Sequence, residues 1–403
     1  MNKKMIAIAV ATAALTAWSG VSAQAPVKVG ALMGVTGPLA NFIPPIRNAA
    51  MLAVEQVNEQ GGLLDGRPME LIVADTQAAA QPAVDAANKL VGAENVVALY
   101  GALSSGATMA SASAVSVANG VLQISPTSTT PELTDLEDND YVFRVLPADD
   151  YQGRVLAKIV REEGIDKVAI TYVNNDYGVG IGNAFKNEFE KAGGTVTGFQ
   201  VHEEKKNSYR SELATLAGGG AQALVLIAYA GDSGIKIVRQ SLENGFFEKF
   251  IGTDGLRDNL LLEEIGIDNV KGSIFSSPTS PPDSEAGAKF EAAYTARHGP
   301  TKDQFFIQQS YDAAFLIALA IEQAGSTDRT AIRDALRKVA NSPGAKVMPG
   351  EWDKAKSLIA AGQDIDYEGV AGPHDFDENG DVTGFIGKFV IDDEGYEEVG
   401  IFQ

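Results

Sequence analysis

The chain has 403 residues, and its 53 acidic side chains against 32 basic ones give a formal net charge of −21. Nucleic acids and anionic membrane surfaces attract basic proteins, so this charge argues against both as partners, although solubility alone also explains an acidic surface. The absence of cysteine excludes disulfides, thiolate chemistry and a cysteine-linked lipid anchor.

The first 23 residues have the organisation of a secretory signal peptide. Lys3 and Lys4 precede an apolar run over residues 5–15, and small residues follow at Val21 and Ala23. A membrane anchor is the alternative, but a membrane-spanning helix needs roughly 20 apolar residues. We therefore predict an exported protein that is cleaved after Ala23.

From Val27 onward, apolar strands alternate with amphipathic helices. Repeated strand–helix units of this spacing indicate a parallel sheet with helices on both faces. The first series predicts strands over 27–33, 69–74, 96–100 and 121–124, and helices over 44–60 and 82–91.

A second series begins after residue 145, and no flexible linker separates it from the first. We therefore expect two tightly joined α/β domains. The second series predicts strands over 167–173, 195–201, 221–228, 250–252 and 270–275, and helices over 151–163, 182–191, 209–216 and 233–242. Beyond residue 283 the pattern predicts helices over 286–298, 305–324 and 329–339, and a strand-like period over 383–402.

Two consecutive strands of the first series end in clusters of hydroxyl side chains. Ser104 and Ser105 follow the strand that ends at Tyr100, and residues 125–130 follow the strand that ends at Ile124. Ligands of open parallel sheets bind beyond the carboxyl ends of the strands, where hydroxyls and helix N-termini suit a carboxylate. Each hydroxyl alone also fits a helix cap or a turn. Together, the clusters predict one wall of a small-molecule site.

Several motifs resemble those of the periplasmic branched-chain amino acid binding proteins of ABC transporters. The resemblance extends in order over essentially the whole chain after residue 23, and it is specific for the family but weak for the ligand. The motifs are GPLA at 37–40, AVEQVNEQGG at 53–62, ANKLV at 87–91, ISP at 124–126, TTPEL at 129–133, DYG at 176–178 and SYDAA at 310–314.

The resemblance implies an α/β fold of two Rossmann-like lobes with parallel central sheets, a type I periplasmic binding fold with three crossover segments. After the signal peptide at 1–23, lobe one would hold 24–145 and 276–380, and lobe two 146–275 and 381–403. It further implies a periplasmic monomer, not an enzyme and without a cofactor. This receptor would bind a small amino acid, most plausibly leucine, isoleucine or valine, in the cleft. It would close about a hinge and deliver the solute to an inner-membrane ABC permease.

Site positions of the family fall on named residues of the first lobe. The hydroxyl that holds the substrate carboxylate corresponds to Ser105, and the main-chain carbonyl that accepts an ammonium proton belongs to Thr127. The threonine that contacts both ends of the amino acid corresponds to Thr129. Phe42, in a first loop that is bulkier than usual for the family, could shape the pocket floor.

In the second lobe, the resemblance implies that Tyr177 covers the ligand, that Tyr229 supplies a second aromatic ring, and that Asp254 pairs with the ammonium. Familiar members carry glutamate at the last position. The shorter Asp254 would reach the amine through water or favour another amine-bearing solute. Its alternative role is that of a turn residue before Gly255.

Two other functions remain open from the sequence. A receptor of the same fold could bind an amide, urea or an aromatic acid. A secreted serine hydrolase is the alternative from a different class, because residues 102–106 imitate a nucleophile elbow around Ser104. Its acid would be Asp254 and its base His298 or His374.

Three further patterns each lack a residue that the corresponding motif requires. Residues 177–183 end in Asn183 where a dinucleotide fingerprint needs glycine. Residues 375–381 open like a calcium loop, but Ile386 occupies the position of the bidentate glutamate, so an acidic turn is expected. His202 has no second metal-ligand candidate at useful spacing and is expected at the surface.

Overall fold

The computed structural model of the chain describes residues 24–403, so the predicted signal peptide lies outside the described residues. Within this range, every helix is too short or too polar to traverse a bilayer. In chain order, the strands are β1 Val27–Met33, β2 Met69–Asp75, β3 Ala98–Gly101, β4 Leu122–Ser125, β5 Val142–Arg144, β6 Lys167–Val173, β7 Thr195–His202, β8 Ala223–Ile227, β9 Phe250–Gly252, β10 Ile274–Thr279, β11 Ala345–Val347, β12 Ile365–Gly369, β13 Gly372–Pro373, β14 Phe385–Ile391 and β15 Tyr396–Phe402. The helices are α1 Ile43–Glu59, α2 Ala80–Asn88, α3 Ser105–Ser111, α4 Asp149–Glu162, α5 Asp176–Lys191, α6 Arg210–Ala217, α7 Ile235–Asn244, α8 Asn259–Ile265, α9 Ile267–Val270, α10 Glu285–His298, α11 Ile307–Ala324, α12 Arg329–Ala340 and α13 Trp352–Ala360.

The first sheet is entirely parallel, with the strand order β2-β1-β3-β4-β5. Successive side chains of a strand point to opposite faces, and β3 shows the consequence. Tyr100 belongs to the cluster that includes α1 and α11, whereas Leu99 belongs to the cluster that includes α2. Both faces are therefore buried, as a parallel sheet requires.

The second sheet has the order β15-β14-β10-β9-β8-β6-β7. Its strands β6 to β10 are parallel, while β14 runs antiparallel to both β10 and β15. The predicted strand-like C-terminus is therefore a hairpin that completes this sheet. A small third sheet, β11-β12-β13, adjoins α12 and α13.

The chain passes between the two main sheets three times, after β5, after β10 and after β13. A buried ion pair joins the first and third passages: Arg144 Nε lies 2.6 Å from Asp381 Oδ1, and Arg144 Nη2 lies 2.8 Å from Asp381 Oδ2. The predicted fold class, α/β with parallel central sheets, is confirmed. The expected division after Phe275 falls inside β10, which continues in the second sheet to Thr279.

Helix α5 begins at Asp176 and not at Gly182, so its prediction was six residues too short. The Asn175 side chain caps the helix by accepting from the Gly178 N–H at 2.9 Å. A Cβ atom at Gly178 would lie 2.1 Å from the Val173 carbonyl oxygen. Glycine is therefore required here by close packing inside a helix, whereas the sequence suggested a turn before one.

The strand predicted over 270–275 was misplaced. Residues 267–270 form α9, Gly272 turns the chain with a φ of 78°, and the strand begins at Ile274. The buried Val270 contributes to the core from a helix, which a short apolar run does not distinguish from a strand. Helix α11 likewise begins at Ile307 rather than 305, because Phe306 adopts a left-handed φ of 61°.

Candidate functional site

A cavity lies between the carboxyl ends of strands from both main sheets. This is the edge at which ligands of parallel α/β sheets bind. Six of the seven residues expected at the site line it, and Thr129 is buried beside them without lining it. The lining residues are Leu39, Phe42, Ile46, Leu103, Ser105, Thr127, Tyr177, Tyr229, Asp254, Gly255 and Phe306.

The hydroxyls after β3 and β4 fall into two groups. Those of Ser125, Thr127 and Ser128 are engaged within the loops, for example by donation from Thr127 Oγ1 to the Leu103 carbonyl at 2.6 Å. The buried hydroxyls of Thr129 and Thr130 have no hydrogen-bond partner among the described residues. The first group has the turn-forming role that the sequence left open. The second group is buried behind the residues that line the cavity, and the Thr129 hydroxyl lies near the Asp149 carboxyl.

Ser105 opens α3 and faces the cavity from the first sheet. Its Oγ accepts only a long hydrogen bond, 3.3 Å, from the Thr130 N–H, which leaves its own proton free to donate. The Thr127 main chain lies in the adjoining loop. This side of the cavity thus offers hydroxyl donors that suit a carboxylate.

Asp254 lies opposite, in the short turn Asp254–Leu256 that follows β9. Its Oδ1 accepts from Gln152 Nε2 at 2.9 Å and from the Tyr177 hydroxyl at 3.2 Å. The side chain is 5 % exposed, and burial raises the pKa of this carboxyl. These bonds hold the acid at the cavity wall, ready to accept from a cation.

Tyr177 and Tyr229 form an aromatic wall beside Asp254. Their rings are stacked with centroids 5.1 Å apart and planes 13° from parallel. The Tyr177 hydroxyl also lies 2.6 Å from Thr253 Oγ1 and accepts from the Gly255 N–H at 3.0 Å. Hydrogen bonds at its hydroxyl therefore orient the Tyr177 ring, and stacking places Tyr229 against it.

An aromatic cluster from α1 and the start of α11 closes the apolar end of the cavity. The Phe42 ring meets Phe305 and Phe306 edge-on at 6.1 and 6.0 Å. Phe305 also stacks under the buried Arg257 guanidinium, whose Cζ lies 4.2 Å from its centroid. With Leu39, Ile46 and Leu103 among the lining residues, this end can receive an aliphatic side chain.

A second acid near the cavity was not anticipated from the sequence. Asp149, the first residue of α4, is fully buried, and neither of its carboxylate oxygens has a hydrogen-bond partner among the described residues. Burial, followed by the charge of Asp254, raises the pKa of Asp149 well above its usual value, although the Thr129 hydroxyl and the Arg144 guanidinium oppose this rise. Acidic residues are common in the first turn of a helix, so the sequence offers no reason to select Asp149. Its burial, which only the structure shows, distinguishes it from such residues.

The residues of the alternative hydrolase do not come together. Ser104 Oγ is buried and has no hydrogen-bond partner among the described residues, and His374 lies 3.6 Å from Asp312 instead. His202 is buried rather than exposed, bonded to Thr171 Oγ1 at 2.8 Å and to Ser233 Oγ at 3.0 Å, which corrects the surface prediction.

No group of three or more metal-ligating side chains occurs within residues 24–403. The calcium-like loop is the expected acidic turn. Its Asp377 Oδ1 accepts from the backbone N–H groups of Asn379, at 2.8 Å, and Asp381, at 3.0 Å.

Comparisons with known proteins agree with this architecture. The family model of the periplasmic binding proteins matches residues 26–354. The Leu/Ile/Val-binding protein BraC3 of Rhizobium johnstonii is 32% identical over 336 residues, which cover 82% of this chain and 89% of that protein.

Solved structures extend the similarity to the whole fold. A leucine-binding protein of Thermotoga maritima superposes with a TM-score of 0.80 at 25% identity, covering 94% of this chain and 99% of that one. A solute-binding protein of an R. palustris ABC transporter, in complex with benzoate, gives a TM-score of 0.76 at 19% identity. That alignment covers 93% of this chain and 96% of that one, and it shows the fold alone.

The family consists of binding proteins and not of enzymes, which decides against the hydrolase. From the two sheets, the cavity at their carboxyl ends and these similarities, we conclude that the chain belongs to the periplasmic binding protein family.

Proposed function

We propose that the protein is the periplasmic receptor of an ABC importer and binds a small amino acid, with leucine, isoleucine or valine as the preferred solutes. The observation that carries this proposal is that Asp254, after a strand of the second sheet, and Ser105, after a strand of the first, line the same cavity. A carboxylate faced by hydroxyl donors matches the two charged ends of an amino acid. Relatives named as Leu/Ile/Val-binding proteins support the same choice.

The proposed roles are those that the family resemblance implies, and Ser105, Thr127 and Asp254 line the cavity. Ser105 and Thr129 would donate to the carboxylate, and the Thr127 carbonyl and Asp254 would accept from the ammonium. Hydrogen bonds to charged groups contribute about 1.5–3 kcal/mol each, and one buried aliphatic side chain about 2–3 kcal/mol. After the costs of ordering the ligand, such a set can reach the roughly −8 kcal/mol of micromolar binding.

The same charges disfavour an aromatic acid, although one similar structure contains benzoate. Such a solute has no amine for Asp254 to accept from, and its carboxylate would add a second negative charge to the cavity that Asp254 lines. An amide or urea would offer Asp254 no charged donor.

We further propose that the cleft closes about the three chain passages and that the closed monomer docks on an inner-membrane permease. The lobes would be those expected from the sequence, residues 24–145 with 276–380 and 146–275 with 381–403. The exception is the expected division after Phe275. We place it at the end of β10, after Thr279, because this strand pairs with the second sheet over its whole length.

Calorimetric titration tests the proposal after the protein has been unfolded and refolded to remove co-purified solute. The panel consists of branched-chain, polar and aromatic amino acids, urea, amides and benzoate. Saturable binding of leucine or valine is expected. Binding of benzoate or urea in their place would overturn the amino acid assignment while leaving the receptor role.

The residue test is Asp254→Ala, which removes the acceptor for the ammonium. We expect affinity for leucine to fall by about 30-fold or more, because loss of one partner of a buried charge pair costs about 2–5 kcal/mol. Glu248→Ala is the matched control, since Glu248 is an exposed acid just before the same strand, β9. Unchanged affinity in Asp254→Ala would show that the acid does not contact the solute.

A further inference from the structure

The acid pair Asp149 and Asp254 contains more negative charge than its surroundings neutralise. Both side chains are at least nine-tenths buried, and they approach the site from different elements, α4 and the turn after β9. Gln152, one helical turn after Asp149, donates to Asp254 and so connects the two elements. Its Oε1 atom has no hydrogen-bond partner among the described residues.

Two arginines lie near the acid pair, and they differ in whether another acid already binds them. Arg257 is buried beside Asp254, makes no ion pair among the described residues and bonds only to Ser277 Oγ, at 3.2 Å. Arg144 is the cation beside Asp149, but Asp381 occupies its guanidinium in a two-point ion pair. Among the described residues, Asp254 therefore has an unpaired cation in its neighbourhood, whereas the cation beside Asp149 is already engaged by Asp381.

Further titratable groups surround the pair and add no positive charge. Near Asp149 the Thr129 hydroxyl is the polar side chain that can donate to it, and no cation of the described residues pairs with this acid. A buried charge without an ion-pair partner is strongly disfavoured, so such a group holds its proton. Tyr177 on α5 and Tyr229 after β8 lie near both acids, and Asp150 on α4 lies near Asp149. Asp176 on α5 and Glu204 after β7 lie near Tyr229.

We propose that the empty site holds a proton on Asp149 and that an incoming ammonium displaces this proton to solvent. This inference rests on the proposed function and concerns its regulation. The balance is simple: the amino acid enters with its ammonium intact, Asp149–COOH becomes Asp149–COO⁻, and one proton leaves. No covalent bond of the solute changes.

The sign of the pH dependence follows from this exchange. Below the pKa of Asp149 in the empty protein, binding must remove a proton, so affinity falls as the pH falls. The limiting slope is about tenfold in Kd for each pH unit. Above that pKa, the acid is already ionised and Kd no longer changes with pH.

The test is calorimetry of the full chain with L-leucine between pH 5.5 and about 8, at each pH in two buffers of different ionisation enthalpy. The difference in heat gives the number of protons released. We expect release to approach one proton per leucine at the acidic end and to decline as pH rises, with Kd weakening in parallel.

Asp149→Asn is expected to abolish proton release and to flatten the pH dependence of Kd. Asp150→Asn is the matched control, because this neighbour carries the same charge in the same turn but is exposed, and it should retain the release. Infrared spectroscopy of the unaltered protein needs no variant: the carbonyl stretch of a protonated carboxyl should disappear when leucine binds.

The outcomes separate the two proposals. Leucine binding without proton release, or release that persists in Asp149→Asn, would overturn the proton exchange and leave the receptor function standing. Absence of binding by any amino acid would overturn both.

Discussion

The Tyr177 hydroxyl joins three polar groups of the cavity wall at a single oxygen. It lies within hydrogen-bond distance of Thr253 Oγ1, the Asp254 carboxylate and the Gly255 N–H. Its ring meanwhile stacks on Tyr229. One atom therefore orients the acid and fixes the turn that presents it.

Removal of this hydroxyl should weaken binding more than its small size suggests. In Tyr177→Phe, Asp254 loses a donor and the buried Gly255 N–H loses its acceptor. We expect leucine affinity to fall about 10-fold and the free energy of unfolding to fall by about 1–3 kcal/mol. Titration and urea unfolding measure both quantities.

Tyr172→Phe is the control, because its half-exposed hydroxyl has no described hydrogen bond. Equal effects of the two substitutions would contradict a specific role for the Tyr177 hydroxyl.

Buried His202 predicts how stability depends on pH. Burial lowers the pKa of His202 from 6.5 to about 4. Below pH 6.5 the unfolded chain therefore takes up a proton that the folded protein refuses, so the free energy of unfolding falls as pH drops toward 4. The contribution of this group amounts to about 3 kcal/mol over that window.

Urea unfolding of the natural chain and of His202→Gln at pH 7 and pH 4.5 isolates this contribution, because Asp312 and His374 titrate in both proteins. The natural chain should lose more stability than the variant. The same loss in both would show that His202 is not responsible.

At the residue level, the motifs of the sequence pointed to most of the polar residues that line the cavity. They did not point to the second buried acid, Asp149. Ser105, Thr127, Tyr177 and Asp254 line the cavity as expected. Asp149 could not be found, because an acid in the first turn of a helix is ordinary until its burial is known.

Among the elements, the start of α11 connects the cavity to the second sheet. Phe306, in a left-handed conformation, lines the cavity, while the preceding Phe305 projects toward residues of the second sheet. There it contacts Arg257 and lies 5.9 Å from the Tyr396 ring. A solute that touches Phe306 therefore lies next to Phe305, whose contacts with Arg257 and Tyr396 join this segment to the second sheet.

Substitution of Phe305 by leucine should shorten the lifetime of the bound state. A desolvated cation–π contact contributes about 0.5–2 kcal/mol, so Phe305→Leu should raise the dissociation rate of leucine by about 3- to 30-fold. Stopped-flow fluorescence with a competing amino acid measures this rate.

Phe199→Leu, in the half-buried strand β7, serves as the control for loss of an aromatic ring. An unchanged rate in Phe305→Leu would exclude the bridging role.

The helices and strands were predicted correctly where the hydrophobic period agrees with the buried positions. The start of α5 was predicted wrongly, because its glycines are needed for close packing and not for a turn. The glycines of α5 suggested a turn, yet Gly178 lies within the helix and Gly182 packs against the Tyr172 ring. Long-range contacts of this kind are not visible in a local pattern.

On the scale of the whole molecule, each main sheet depends on chain segments that are distant in sequence. The first sheet is built from residues 27–144, but α11 and α12, which cover it, come from residues 307–340. The second sheet receives β14 and β15 only from the last part of the chain.

A chain that ends at Gly380 should therefore fail to fold its second half. Without β14, strand β10 loses its antiparallel partner, and Phe275 and Ile274 lose their cover. We expect rapid proteolysis after residue 145 and no leucine binding. Removal of Gln403 alone, an exposed terminal residue, is the control and should change neither; binding by the shortened chain would contradict the prediction.

The three passages of the chain also set the order in which the protein can be made. When β5 leaves the ribosome, its sheet still lacks the helices of residues 307–340, and when β10 follows, the second sheet still lacks its hairpin. Domains of ordinary proteins fold one after another during synthesis. Here neither half has a complete core until late segments of the chain are available, so the two halves cannot fold one after the other in chain order.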